Sequence, residues 1–405
     1  MANADPWYKA SFKLEALGKH LELQVPHDVF STMRIDEGTQ LLLSNLPAGE
    51  PETILDMGCG YGALGLPLAA RHPGARVRLV DRDLLAVAWA TKNAEANGLT
   101  ANVRASGSLG YRDLHDSDAA SAAFDWILCN VPARIGRPFI EQLVKAGRAR
   151  LTARGELRVV VIRDLVPVLE ELAKEHGWAL VESARGPRHS VFALAAPREP
   201  VALVPEPNDL YLRDTVSLGG LKLERPFDIG GDDPKRLTHG LPLLLDALPR
   251  KAPRTVLCFR SGYGPLPLVC RARYGDSQVT AVDRDLLGTT YTRRNAERLG
   301  LGGPRLEVLE SAHFPDAFAD GRKFDFITGE LSPSAGAAVA EAELTFLVRA
   351  LAPGGEGLVL SLKKLESSWI RPIAERRDLA IFPVISRDDY VLLAVTAKSL
   401  KSMPR

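Results

Sequence analysis

Three short stretches carry residue types and spacings suited to chemistry. Asp56-Met57-Gly58-Cys59-Gly60-Tyr61-Gly62 follows the apolar run Thr53–Asp56 and opens a helical stretch. Glycines there allow backbone angles, and a close approach of the backbone to a ligand, that other residues deny. An acid at the strand end can attract a ligand ammonium. Twenty-five residues on, Asp81 ends the next apolar run, where a carboxylate can accept hydrogen bonds from two ribose hydroxyls. The GxGxG spacing, with an acid before it, favours S-adenosylmethionine, which has no pyrophosphate to seat on the helix, over a dinucleotide. Asn130-Val131-Pro132-Ala133 ends a third apolar run, Phe124–Cys129.

These stretches sit in a duplicated chain. RVRLVDRDLLAVAWATKNAEANGL (Arg76 to Leu99) recurs as QVTAVDRDLLGTTYTRRNAERLGL (Gln278 to Leu301), 202 residues later. The same offset aligns Gly60-Tyr61-Gly62 with Gly262-Tyr263-Gly264, and a slip of two residues aligns Phe124-Asp125 with Phe324-Asp325. A period this long means a repeated domain and not a solenoid. Each half alternates short β-like runs with helical ones. That pattern predicts an α/β fold, two tandem Rossmann-like domains with mostly parallel seven-stranded sheets and helices on both faces. A small hairpin precedes each, around Gly18 and around Gly219-Gly220. The expected boundaries are a first domain over 1–196, a Pro-rich linker over 197–212 and a second domain over 213–405. Ligands of such sheets bind beyond the carboxyl ends of the strands.

Composition narrows the classes. The 405 residues are 46% hydrophobic, enough for large cores. Lys and Arg number 51 against 50 Asp and Glu, which excludes a globally basic nucleic-acid binder and leaves room for a local patch. Four cysteines without a CxxC pair, and eight histidines without ligand spacing, argue against disulfides, zinc or any other metal. No apolar run reaches membrane-spanning length and the first residues lack a signal-peptide pattern, so the expected location is cytoplasmic.

The first half resembles the class I S-adenosylmethionine-dependent methyltransferases, and more narrowly the RsmC-type ribosomal RNA guanine-N2 methyltransferases, themselves tandem duplications of the fold. The resemblance rests on VFSTMRIDEGTQLLL (Val29 to Leu43), ILDMGCGYGALGL and LVDRDLLAVAWATKNAEANGL. It implies an enzyme whose cofactor, S-adenosyl-L-methionine, is held by Asp56, Gly58, Cys59, Gly60, Asp81, Arg82, Ser106, Gly107 and Asn130. Asp36 and Thr39 match the segment that helps close over the cofactor. Asn130 and Pro132 fall where the family carries an Asn-Pro-Pro-aromatic loop. An exocyclic base amine is a poor nucleophile, because its lone pair is delocalised into the ring. An Asn oxygen and a main-chain carbonyl can accept its two N–H groups and orient it without a strong base. Here Val131 replaces the first proline and Ala133 removes the stacking ring, which leaves Tyr111 or Phe139 to supply one. Seven basic residues between Arg134 and Arg158 point modestly to RNA phosphates, ribosomal RNA or a ribosomal subunit being the implied partner.

The second copy reads as degenerate. Cys258 stands in place of Asp56, Arg260 in place of Gly58 and Glu330 in place of Asn130, although Asp283 persists. This half is expected neither to bind cofactor well nor to catalyse, and to support structure or RNA binding. RsmC-type enzymes usually keep the intact copy second, whereas here it is first. Two other readings stay open: methyl transfer to a small molecule or protein, and RNA binding without catalysis.

Overall fold

The computed structural model describes residues 5–29, 35–114, 123–195, 207, 209–227 and 239–399. Most of the Pro-rich segment 197–212, and residues 30–34 of the stretch after Val29, lie outside them. Two compact units form. One is Lys9–Leu212; the other is Arg213–Arg405 with the N-terminal residues through Tyr8. In that second unit Trp7 packs on His313, with ring centroids 4.0 Å apart. No described helix is long and apolar enough to cross a membrane.

The first unit begins with the hairpin β1 (Tyr8–Ala16) and β2 (Lys19–Pro26). Leu17 and Gly18 turn it with φ of 55° and 71°, the left-handed pair that matches strand twist. After α1 (Glu37–Leu43) come β3 (Thr53–Met57), α2 (Gly65–Arg71), β4 (Arg76–Asp81), α3 (Leu84–Ala96), β5 (Val103–Gly107), β6 (Phe124–Asn130), α4 (Arg137–Ala149), β7 (Leu151–Ile162), α5 (Val166–Glu175), β8 (Leu180–Arg185) and β9 (His189–Ala195). The sheet order is β5-β4-β3-β6-β7-β9-β8. The pairs from β5 to β7 are parallel, and β9 runs antiparallel to both β7 and β8. Every residue of β3 is buried, as a central strand covered on both faces requires. The chain leaves β3 for β4 on one side and later returns to β6 on the other, so the ligand crevice of this topology opens at the end of β3.

Two expected boundaries move. The helix after β3 starts at Gly65, not Gly62, because Gly62 has φ 97° and cannot be helical, although its carbonyl still accepts the Leu66 N–H. Strand β7 starts at Leu151, ahead of the apolar run Leu157–Ile162 that marks it in the sequence, because Leu151 pairs with Phe124 before a register shift. Gly155 permits that shift: a Cβ there would lie 2.6 Å from the Phe124 carbonyl oxygen.

The second unit repeats the plan. Hairpin β10 (Leu212–Leu218) and β11 (Leu221–Pro226) turns at Gly219-Gly220, and α6 (Leu241–Asp246) follows. Then come β12 (Thr255–Phe259), α7 (Pro265–Arg273), β13 (Gln278–Asp283), α8 (Leu286–Arg298), β14 (Leu306–Glu310), β15 (Phe324–Glu330), α9 (Ala337–Ala350), β16 (Leu351–Leu362), a helical connection, β17 (Leu379–Arg387) and β18 (Tyr390–Ser399). Its sheet order, β14-β13-β12-β15-β16-β18-β17, is that of the first unit.

The repeated sequence strings now have physical causes. Asp83 and Asp285 cap α3 and α8 by accepting the N–H of Leu85 and Leu287. Gly98 and Gly300 end those helices in left-handed turns, with Leu99 and Leu301 donating back to Ala94 and Ala296. Asn93, fully buried, receives the Gln24 N–H and donates to the carbonyls of Gln24 and Tyr61. Asn295 does the same with Glu224 and Tyr263. This one side chain fastens hairpin, helix and glycine-rich turn together. Replacing it strands three main-chain groups, so Asn93→Ala should lower the unfolding free energy by about 2–3 kcal/mol, read from urea denaturation of the whole chain. A loss within about 0.5 kcal/mol, the ordinary range for surface sites, would show that the clamp does not bear that role.

Candidate functional site

The end of β3 is stitched to the end of β4. Gly58 and Cys59 both donate to the Val80 carbonyl, at 2.8 and 3.0 Å, and Gly60 donates to Asp81 Oδ2 at 2.9 Å. Asp81 Oδ1 takes the Asp83 N–H at 2.9 Å. The turn glycines have φ of 77°, 54° and 97° at Gly58, Gly60 and Gly62, where a side chain would be strained. Their surroundings differ. A Cβ at Gly58 or Gly60 would meet nothing within 4 Å, so these two look onto open space. A Cβ at Gly62 would come within 2.6 Å of Leu66, so that glycine answers to packing.

Asp56 is buried beneath this turn and accepts the Gly65 N–H at 2.8 Å. Burial pushes its carboxyl up to about 7; the Gly65 hydrogen bond opposes this, and the nearby Asp81 charge adds to it. Cys59 is turned inward, with its N–H spent on Val80 and its carbonyl on Gly62, and burial raises its thiol well above the usual range. Arg82 is half-buried at the strand–helix junction. Ser106 and Gly107 end β5 beside Val80 and Asp81, and the following Ser108 N–H is fixed on the Asp81 carbonyl.

Asn130 ends β6, one residue past Cys129, which lies beside Met57 of β3. Its amide nitrogen donates to Asp36 Oδ2 at 3.0 Å and Thr39 Oγ1 at 3.1 Å. A carboxylate only accepts, so this contact settles which way the amide faces. Asp36 also caps α1 through the Thr39 N–H. The amide oxygen lies by Gly38, where a Cβ would crowd it and Asp36 Oδ2 at 3.2 Å. Val131 is buried and donates to the Val160 carbonyl, while Pro132 and Ala133 are exposed.

The expected stacking ring is not supplied by Tyr111. It is buried, and its hydroxyl donates to the Leu143 carbonyl. Phe139 is buried too, against Tyr211. Part of the basic cluster is held by structure. Arg137 makes a two-pronged pair with Glu171, Arg148 donates to the His176 carbonyl, and buried Arg158 pairs with Glu156 and donates to the Asn45 carbonyl. The structure adds His189, which no spacing singled out: its Cδ2 lies 3.2 Å from the same Cβ position at Gly38. Only the pairing of β9 with β7 brings it there, 59 residues beyond Asn130 in sequence. Among the described residues no cluster of His, Cys, Asp and Glu is disposed to hold a metal ion.

Residues 20–179 match the family model of the methyltransferase small domain. The chain is 33% identical over 180 residues to the uncharacterized protein YbxB of Bacillus subtilis (strain 168), covering 43% of this chain and 85% of that protein. It is 36% identical over 174 residues to ribosomal RNA small subunit methyltransferase C of Pseudomonas fluorescens, covering 39% of this chain and 49% of that enzyme. The chain thus spans about half the length of that enzyme. Among solved structures, the T. thermophilus 16S rRNA N2 methyltransferase (RsmC) in complex with AdoMet and guanosine is similar in fold, with a TM-score of 0.66 and 21% identity over 96% of this chain and 98% of that one.

The carboxyl of Asp56 gives a pH test. Its folded value is raised from the usual 3.8 to about 7, so the folded state holds this proton more tightly than the unfolded chain. That contribution is fully present below about pH 4 and is lost as pH rises through about 7. Urea unfolding of wild type and Asp56→Asn at pH 5, 6, 7 and 8 should show their stability difference moving against wild type as pH rises, by on the order of a few kcal/mol. A difference that stays constant over this range would contradict the assignment.

Proposed function

This chain belongs to the methyltransferase small domain family of class I S-adenosylmethionine-dependent methyltransferases, and from that premise we propose that it methylates an exocyclic nitrogen of an RNA base, guanine N2 in ribosomal RNA. The crevice fits the cofactor on three counts. Gly58 and Gly60 leave open space where a nucleoside could lie against the main chain. Asp56 is a buried carboxyl that no cation faces among the groups acting on it, and a ligand ammonium would supply the missing charge. Asp81 holds the turn through the Gly60 and Asp83 N–H groups at the strand end where a carboxylate can accept from ribose hydroxyls. Ser106 and Gly107, at the next strand end, would border the adenine. When bound, S-adenosylmethionine supplies an electrophilic methyl group.

The observation that carries the reading is the fixed amide of Asn130. With its nitrogen committed to Asp36 and Thr39, the group left for a ligand is its oxygen. That oxygen can accept one N–H of the target amine, and a main-chain carbonyl of the following loop can accept the other. The nitrogen lone pair is then directed at the methyl group. This is catalysis by orientation and electrostatics, with no strong base required. The second unit would serve structure or RNA contact, because its own strand ends are filled. The names of the small subunit methyltransferases support ribosomal RNA as substrate.

The test is incubation of the full chain with labelled S-adenosylmethionine and RNA from cells lacking it, followed by nucleoside mapping. N2-methylguanosine is expected. Asn130→Ala should lower kcat about 100-fold or more and leave cofactor affinity within about threefold; Asp81→Ala should weaken cofactor binding first. Transfer confined to protein or small metabolites would overturn the RNA assignment.

A further inference from the structure

We propose that His189 is a second, specificity-determining contact to the target base, accepting the N1–H of guanine through Nε2 while Asn130 accepts from the 2-amine; this rests on the base-methylation reading above. Gly38 of α1 has no side chain, and the point its Cβ would occupy lies 3.2 Å from both Asn130 Oδ1 and His189 Cδ2. Amide oxygen, imidazole and Asp36 Oδ2, which is equally near, therefore converge on Gly38 at the carboxyl end of the sheet. The ring reaches it because His189 starts β9 opposite Ile162, two residues past the Val160 that pairs with Asn130.

The surroundings of the imidazole decide which nitrogen carries the proton. Nδ1 is buried with no hydrogen-bond partner, and the acid facing it is Glu37, at 3.8 Å. Asp36, on the same turn of α1, is committed to Asn130 and Thr39. Arg188 fixes Glu37, with Nε 3.0 Å from Oε2, and the Gly186 N–H bonds the His189 carbonyl at 2.7 Å, so hairpin and helix are tied together. A carboxylate beside Nδ1 favours the tautomer with its proton there, which leaves Nε2 an acceptor. With Nδ1 buried and Cδ2 over Gly38, the Nε2 side is what a ligand can reach; the side chain is 16% exposed.

At the matching place in the repeat Tyr390 packs over Gly240, whose Cβ would lie 3.0 Å from the ring, while Glu330 stands in for Asn130. A ring over glycine is thus kept for packing in both copies. The imidazole is present only in the copy that has the asparagine. Guanine offers adjacent donors at N1 and the 2-amine, which suit two neighbouring acceptors. Ala133 and buried Tyr111 offer the base no ring, so edge recognition carries more of the discrimination.

Three nucleosides separate the two contacts: guanosine has both donors, 2-aminopurine riboside has the 2-amine without N1–H, and inosine has N1–H without the amine. Each is titrated calorimetrically into the full chain saturated with S-adenosylhomocysteine. His189→Phe keeps a ring over Gly38. It should weaken guanosine and inosine about tenfold without weakening 2-aminopurine riboside, whose N1 is an acceptor that Nε2 cannot bond, and His189→Gln, which restores an acceptor, should recover part of the loss. Asn130→Ala should weaken guanosine and 2-aminopurine riboside and spare inosine. Equal affinities for His189→Phe and wild type, or equal weakening of all three ligands, would overturn the contact while the Asn130 pattern stood. Loss of the Asn130 pattern would overturn the base-methylation reading itself.

Discussion

The hydrogen bond from the Gly60 N–H to the Asp81 carboxylate, with the two N–H groups that Val80 accepts beside it, sets the shape of everything at the active end of the first unit. It joins the exit of the central strand to the end of its neighbour at the point where the sheet changes direction. Because main-chain donors are held by main-chain and carboxylate acceptors, the crevice is formed before any ligand arrives. Preformed geometry of this kind spares a binding site the entropy of ordering a loop. The same bond recurs in the second unit between Gly262 and Asp283 at 2.7 Å, with Ser261 on Val282. The acid is thus retained there for the turn and needs no ligand to explain it.

What differs between the copies is what lies over the stitched turn. In the second, Cys258 is buried where Asp56 stands in the first, and Arg260 takes up φ 49°, a left-handed conformation that costs a non-glycine residue about 1 kcal/mol. Its guanidinium reaches the buried Glu343 of α9 at 2.5 Å. Phe259 presses on Gly329, where a Cβ would lie 2.6 Å from its ring, and stacks on Phe314 within an aromatic cluster that includes Phe318 and Phe346. The strand ends that are open over glycine in one copy are closed by a buried ion pair and rings in the other. The ion pair keeps the strained arginine in place, since removing one partner would strand the other charge.

Asp36 links fold and chemistry in the first unit. One oxygen caps α1 and the other holds Asn130, so the helix cannot be positioned without also orienting the amide. Asp125 shows the same economy at the other end of the sheet, accepting the N–H groups of Glu52 and Thr53; Asp325 repeats this at Arg254 and Thr255.

The strand and helix order, the duplication, both hairpins and the glycine turn were legible in the sequence, because hydrophobic period, glycine placement and capping residues act over a few neighbours and leave local marks. The contrast between Asp56 and Cys258, or Gly58 and Arg260, was legible for the same reason. The uses of the marked residues were not. Asn93 reads as one more helix polar residue until the hairpin 69 residues earlier is folded against it. Tyr111, Arg148 and Arg158 look available until packing consumes them. Asp36, Asn130 and His189 are separated by 94 and 59 residues and meet only because α1 lies across the strand ends where the sheet places them. Side-chain partners so distant in the chain are set by topology and register, and tertiary structure alone decides them.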